Sequence, residues 1–152
     1  PDSEIIESSG LKCYYFSYFT KWDMFDNYNY IKDKIDFRLD VENRSTGTFT
    51  NFDSLDDKID DLYYYMQYIK FGFGRCIRDA SRFIQNGHLK RENALDLVKK
   101  FDGEFPKRNY DSFLNYLSLS DEEFQEIVDK HRNPEVWRKM NDKSWNLIHP
   151  PK

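Results

Sequence analysis

The sequence predicts a mainly α fold with one short strand near its beginning, and three observations carry that reading. Leu55, Ile59, Leu62, Met66, Ile69 and Phe73 recur at spacings of four and three, which lays an apolar seam along one side of a helix. Helix-start chemistry recurs downstream: Ser120 and Glu123 are spaced as a capping box, and Asn133-Pro134 sets a cap before a proline at the first helical position. Leu11 to Phe19 alone combines aromatic enrichment with the short length of a buried strand.

Taken in order, the strand reading of LKCYYFSYF requires a partner, because a lone strand cannot satisfy its own backbone groups; the Val41 and Phe49 segments, or chain outside this sequence, would supply it. Tyr28, Ile31 and Ile35 give Asp26 to Asp36 a helical period, and the polar connection Asp40 to Thr50 follows. Ser54 is the expected N-cap of the central helix, with Asp56 and Asp57 where its dipole favours negative charge. Gly72 and Gly74 mark a kink, a break or a close approach. In an unbroken helix Asp57 and Arg75 lie roughly 27 Å apart and cannot hold one small group, whereas a break at the glycines would let them converge. Asn86-Gly87 is a stop signal, Glu92 to Phe101 a short helix ended by Gly103, and Tyr110 to Leu117 the next. The capped helix from Ser120 carries Phe124, Ile127, Val128 and His131 inward, and a last helix from Asn133 is anchored by Val136, Trp137 and Met140.

A chain of 152 residues fits one domain with a real core, and its first residue, Pro1, reads as a cut within a longer protein. No run of eighteen apolar residues and no leader pattern appear, so no membrane span is expected. Cys13 and Cys76 lack CxxC spacing, which argues against a disulfide framework or zinc site and for packed, reduced thiols in the cytosol. The net charge of −4 gives no general attraction for nucleic acid, and basic and aromatic residues do not interleave on one face.

HExxH, P-loop, GxGxxG and GxSxG motifs are absent, and His88, His131 and His149 are scattered, so a self-contained catalytic centre has no sequence support. The candidate binding face is the side of the central helix opposite the seam: Asp57, Asp61, Tyr64, Tyr68, Gly72, Arg75, Arg78 and Arg82. Carboxylates lie toward one end, where i,i+4 pairs can share a magnesium ion with substrate phosphates, and arginines toward the other, where guanidinium forks match phosphate oxygens. Lys58 reads either as a phosphate contact or as a surface charge. The competing structural reading is a solvated face with internal pairs such as Arg75 with Asp79.

The stretches GTFTNFDSLDDKIDDLYYYMQYIKFGFGR and RDASRFIQNGHLKRENALDLVKKFDGEFPKR resemble the C-terminal part of the N-acetyl sugar amidotransferases. These are lipopolysaccharide O-antigen and flagellin-sugar biosynthesis proteins of the ATP pyrophosphatase group, and the resemblance runs from YYFSYFTKWD to EFQEIVDKHRNPEVW. It implies that residues 1–50 end an α/β Rossmann-like nucleotide-binding domain and that residues 51–152 form a helical C-terminal domain. It further implies an enzyme that uses ATP and magnesium to activate an acetamido group of a nucleotide-linked sugar, which ammonia then converts to an amidine. The ammonia is implied to come from a glutaminase partner, in the cytoplasm. The SGGxDS-type pyrophosphate loop of the group is missing from this sequence, so this portion is expected to bind no ATP and to be inactive alone. Asp57, Lys58, Asp61, Arg75 and Arg78 are expected to border the nucleotide sugar and its pyrophosphate, with Tyr64 and Tyr68 against sugar or base. Those assignments rest on the helix face, because none is a motif residue. The alternative reading is a noncatalytic helical module that binds a protein or forms a homodimer through Tyr63 to Tyr68.

Overall fold

Among the described residues, 3–152 of a computed structural model, seven α-helices and one two-stranded hairpin form, in two units: one ends at Ile35 and the other spans Asp36–Lys152. The mainly α expectation holds.

The first unit contains α1 (Ser3–Ser8), a single 3-10 turn at Phe16–Tyr18 and α2 (Met24–Ile31). Helix α2 starts where the extended Asp23 turns its carboxylate onto the amides of Phe25 and Asp26, at 3.1 and 3.3 Å. It ends at Ile31, short of the expected Asp36. The strand expected over Leu11 to Phe19 does not form: Leu11 to Tyr15 are irregular, and every residue from 11 to 20 is exposed. No described segment pairs with it, and a strand without a neighbour leaves all its backbone groups without strand partners. Its rings pack on each other instead, Tyr14 with Phe19, Phe16 with Trp22 and Tyr18 with Phe19.

In the second unit α3 (Asp60–Phe71), α6 (Tyr110–Leu117) and α7 (Asp121–Lys130) share a core of Leu62, Ile69, Phe113, Phe124 and Val128. Helices α4 (Arg75–Gln85) and α5 (Arg91–Phe101) share another, built on Cys76, Ala80, Ala94 and Val98, whose small side chains let the two backbones approach. Burial pushes the Cys76 thiol up to about 12, so it packs as a hydrophobe and is no nucleophile. Cys13 is exposed, against expectation. The capping box of α7 forms as expected: Ser120 Oγ accepts from the Glu123 amide and the Glu123 carboxylate from the Ser120 amide.

The central helix is shorter than its seam. Gly72, at φ 75°, ends α3 in the left-handed conformation, and α4 starts afresh at Arg75. The glycines therefore mark a break. Ser54 is not the N-cap, because its own backbone is left-handed (φ 52°) and α3 starts six residues later, at Asp60. The reason is tertiary: the Asp53 carbonyl accepts from Arg75, its carboxylate from Arg78, and Ser54 meets the Tyr64 hydroxyl, so the segment is held off the helix axis. Leu55 and Phe73 consequently lie outside α3 and are exposed, while Leu62 and Ile69 stay in the core.

The helix expected after Asn133-Pro134 is instead a turn followed by the antiparallel hairpin of β1 (Trp137–Lys139) and β2 (Trp145–Leu147), with Trp137 opposite Leu147. Trp137 decides it. Its ring is buried and its indole N–H donates to the Ile69 carbonyl at 2.6 Å, an acceptor near the end of α3. The Arg132 guanidinium sits 4.8 Å from the Trp137 ring and 5.3 Å from that of Trp145, which holds both strands against α7.

Candidate functional site

The polar heart of the second unit is the loop from Asp40 to Ser54, which the helices hold from three sides. Arg44 forms a two-pronged pair with Glu104 at 2.6 and 2.7 Å, and the Gly47 amide donates to the same carboxylate at 2.9 Å. Those bonds, Arg44 foremost, hold the Glu104 carboxyl below its ordinary value. The hydroxyls of Thr48 and Thr50 donate to the buried carboxylate of Asp79 on α4, at 2.7 and 3.2 Å.

Against this loop stand the arginines. Arg78 donates from Nε to Asp79 (3.1 Å), from Nη2 to Asp53 (2.8 Å) and from Nη1 to the Tyr64 hydroxyl. Arg75, only 1% exposed, donates to the Asp53 carbonyl. Both guanidinium groups lie over the Tyr64 ring, at 5.0 Å for Arg75 and 4.6 Å for Arg78. Burial works against the charged form of Arg78, but Asp79, Tyr64 and Asp53 outweigh it and hold its pKa above the ordinary value. The helix break thus brings Asp53, rather than Asp57, to the arginines. The expected Arg75–Asp79 pair is replaced by Arg78–Asp79, since Arg75, at the first position of α4, turns toward Asp53 instead.

On the outer side of the same loop is an open groove of about 430 Å³ lined by Arg38, Asp40, Ser54, Asp57, Lys58, Asp61, Arg108 and Asn109, among others. Asp61, 5% exposed, accepts at Oδ2 from Thr46 (3.2 Å), Asn109 (3.1 Å) and Arg108 (3.4 Å). Arg108 also grips Asp40, at 2.8 and 3.0 Å. Burial opposes its charge, yet the Asp40 bond and the Asp61 and Asp40 charges raise its pKa. Asp57 spends one carboxylate oxygen on the Ile59 amide at 2.9 Å. Asp61, already satisfied by three donors of which one is cationic, is suited to a structural carboxylate and not to a magnesium ligand. Of the groove's cations, Arg108 is paired with Asp40 and Arg38 lies near Asp36, whereas Lys58 has no ion pair among the described residues.

The seven expected site residues therefore separate. Asp57, Lys58 and Asp61 meet at the groove, while Tyr64, Arg75 and Arg78 form a buried cluster behind it, joined to the groove by Ser54. Tyr68 is elsewhere: its ring packs at 5.2 Å on Trp137 and lies against Gly103. The sequence reading missed Asp40, Arg108 and Asn109. Asp40 lies in the irregular connection before α3, and Arg108 and Asn109 in a single 3-10 turn, Lys107–Asn109, too short to show periodicity; the polar run Lys107-Arg108-Asn109 after Pro106 is the signal for the last two.

Residues 46–152 match the family model described as LPS biosynthesis protein WbpG-like, C-terminal domain. The chain belongs to that family. The WbpG-like match takes in both helical cores and, of the groove, Asp57, Lys58, Asp61, Arg108 and Asn109. It ties the chain to lipopolysaccharide biosynthesis, which the resemblance in the sequence implies. The chain matches no curated protein. No helix among the described residues is long and apolar enough to cross a membrane.

Proposed function

We propose that this WbpG-like domain is the substrate-side, C-terminal part of an ATP-dependent N-acetyl sugar amidotransferase of lipopolysaccharide O-antigen biosynthesis, acting in the cytoplasm on a nucleotide-linked sugar. One observation carries the reading: a groove at the loop–helix junction presents Lys58, a cation without an ion pair among the described residues, beside Asp40 and Asp61, whose carboxylates the protein's own donors satisfy. Lys58 contacts the diphosphate, and Asp57 and the Arg108–Asp61 pair border the sugar. Arg75, Arg78 and Tyr64 act from behind, by fixing Asp53 and Ser54 at the groove's wall. ATP and magnesium bind the nucleotide-binding domain of the whole enzyme, to which residues 1–50 belong in this reading, and a glutaminase partner supplies ammonia.

The test is to supply the full-length protein with ATP, magnesium, ammonium and a nucleotide-linked N-acetyl sugar. The expected result is a product lighter by about one mass unit, the difference between an acetamido oxygen and an amidine nitrogen with its hydrogen, together with AMP and pyrophosphate. Consumption of neither ATP nor sugar across a panel of such sugars would refute the activity. A second reading, an interaction module, is favoured by the exposed rings of Tyr14, Tyr15, Phe16, Tyr18, Phe19 and Trp22.

A further inference from the structure

A second groove, of about 410 Å³, runs along α3 and shares no lining residue with the one above: Tyr63, Met66, Gln67, Lys70, Phe71, Phe73 and His131. Its chemistry is of a different kind. The rings of Phe71 and Phe73 lie 5.9 Å apart and nearly parallel, at 28°, and both stay exposed, as does Tyr63. An exposed offset pair of this sort offers a flat face to which a third planar ring adds by stacking.

The polar groups around that face are few, and the charge among them is that of Lys70. Lys70 Nζ sits 5.4 Å from the Phe71 centroid, and Lys70 has no ion pair among the described residues. His131 donates its Nδ1–H to the Ile127 carbonyl at 2.9 Å, which leaves Nε2 as an acceptor for a ligand hydroxyl. Gln67 adds an amide with both donor and acceptor capacity. No carboxylate lines the groove. An apolar platform with a few convergent polar groups is the usual form of a small-ligand site, and the absence of acid selects for negative charge.

We propose that this groove binds a nucleoside phosphate, its base stacked on Phe71 and Phe73 with an edge on Gln67, a ribose hydroxyl donating to His131 Nε2, and its phosphate held by Lys70. The ring platform accounts for the base and the Lys70 ammonium for the phosphate; neither a bare anion nor a neutral nucleoside uses both. The inference does not rest on the amidotransferase reading, since it needs neither Lys58 nor any catalytic step.

Titration of this chain with UDP and ADP, followed by calorimetry and by backbone amide shifts, tests it, with uridine and inorganic pyrophosphate as comparators. At least one diphosphate should bind with a dissociation constant in the range of roughly 0.1–1 mM, or about 5.5–4.1 kcal/mol. Each comparator should bind at least ten-fold more weakly. Shifts should centre on Gln67 to Phe73 and His131, and Lys70→Ala and Phe73→Ala, both at exposed positions, should each weaken binding five-fold or more. Pyrophosphate binding as well as the diphosphates, shifts centred on Lys58, or variants that bind like the parent would overturn the assignment. So would light scattering that shows a dimer abolished by Phe73→Ala, because the rings would then be covered by a second copy.

Discussion

Gly103→Ala adds a single methyl group, and its cost has two separable parts. Gly103 follows α5 at φ 77°, where an L side chain adds about 1–2 kcal/mol of backbone strain. A Cβ there would also stand 2.2–2.5 Å from three atoms of the Tyr68 ring, inside any real contact distance. That ring also packs against Trp137, itself buried and hydrogen-bonded to the Ile69 carbonyl, which limits its movement. Overpacking of this kind adds about 1–3 kcal/mol, for a total of about 2–5 kcal/mol. Gly87 supplies the control: its φ is 81°, but nothing lies within 4 Å of its added Cβ, so Gly87→Ala should lose only the backbone part. Urea unfolding followed by far-ultraviolet circular dichroism reads both. With a slope of about 2 kcal/mol per molar, Gly103→Ala should lower the midpoint by about 1–2.5 M. Adding Tyr68→Leu to Gly103→Ala should recover part of the loss, as a favourable coupling of about 1 kcal/mol or more. Equal midpoints for the two alanine variants would refute the packing assigned to Tyr68.

Asp79→Ala removes the acceptor of Thr48, Thr50 and Arg78 from a buried site and should cost about 3–5 kcal/mol, with faster proteolysis between residues 44 and 54 as a local readout. Ser120→Ala should cost about 1 kcal/mol through loss of the α7 cap, measured by thermal unfolding. Glu104 is held below its ordinary value of 4.5, chiefly by Arg44, so the ionised pair adds stability above that pH and loses it as pH falls through the depressed value. Glu104→Gln should therefore be less stable than the parent at pH 7, and the gap should close as unfolding is repeated at progressively lower pH below 4.5. A gap that persists unchanged in acid would count against the pair.

Which elements were legible in the sequence follows from where their causes lie. The seam of α3 and the box of Ser120 and Glu123 are local, and periodicity and capping show them directly. Ser54 looked like a cap because serine before an acidic turn is one in isolation; Arg75, Arg78 and Tyr64 hold its segment elsewhere, and the sequence does not announce such contacts. The turn at 133–136 and the hairpin replaced a helix because the Trp137 indole reaches a carbonyl 68 residues earlier. The expected binding face failed in an instructive way. Helical spacing placed Tyr68 beside Tyr64 and Arg75, but the break at Gly72 turned α4 so that the arginines met Asp53, and Tyr68 was left in the packing around Gly103. Asp57, Lys58 and Asp61 remained together because they lie within one turn of the start of α3.

The groove of Asp57, Lys58 and Asp61 is proposed to hold the phosphorylated sugar substrate. Lys58→Ala in the full-length enzyme tests it, since the side chain is exposed and carries no packing role that would confound folding. Steady-state kinetics should show KM for the nucleotide sugar raised about ten-fold, the loss of one charge-assisted contact of about 1.4 kcal/mol, with KM for ATP unchanged. An unchanged KM for the sugar, or an equal rise for ATP, would contradict the account.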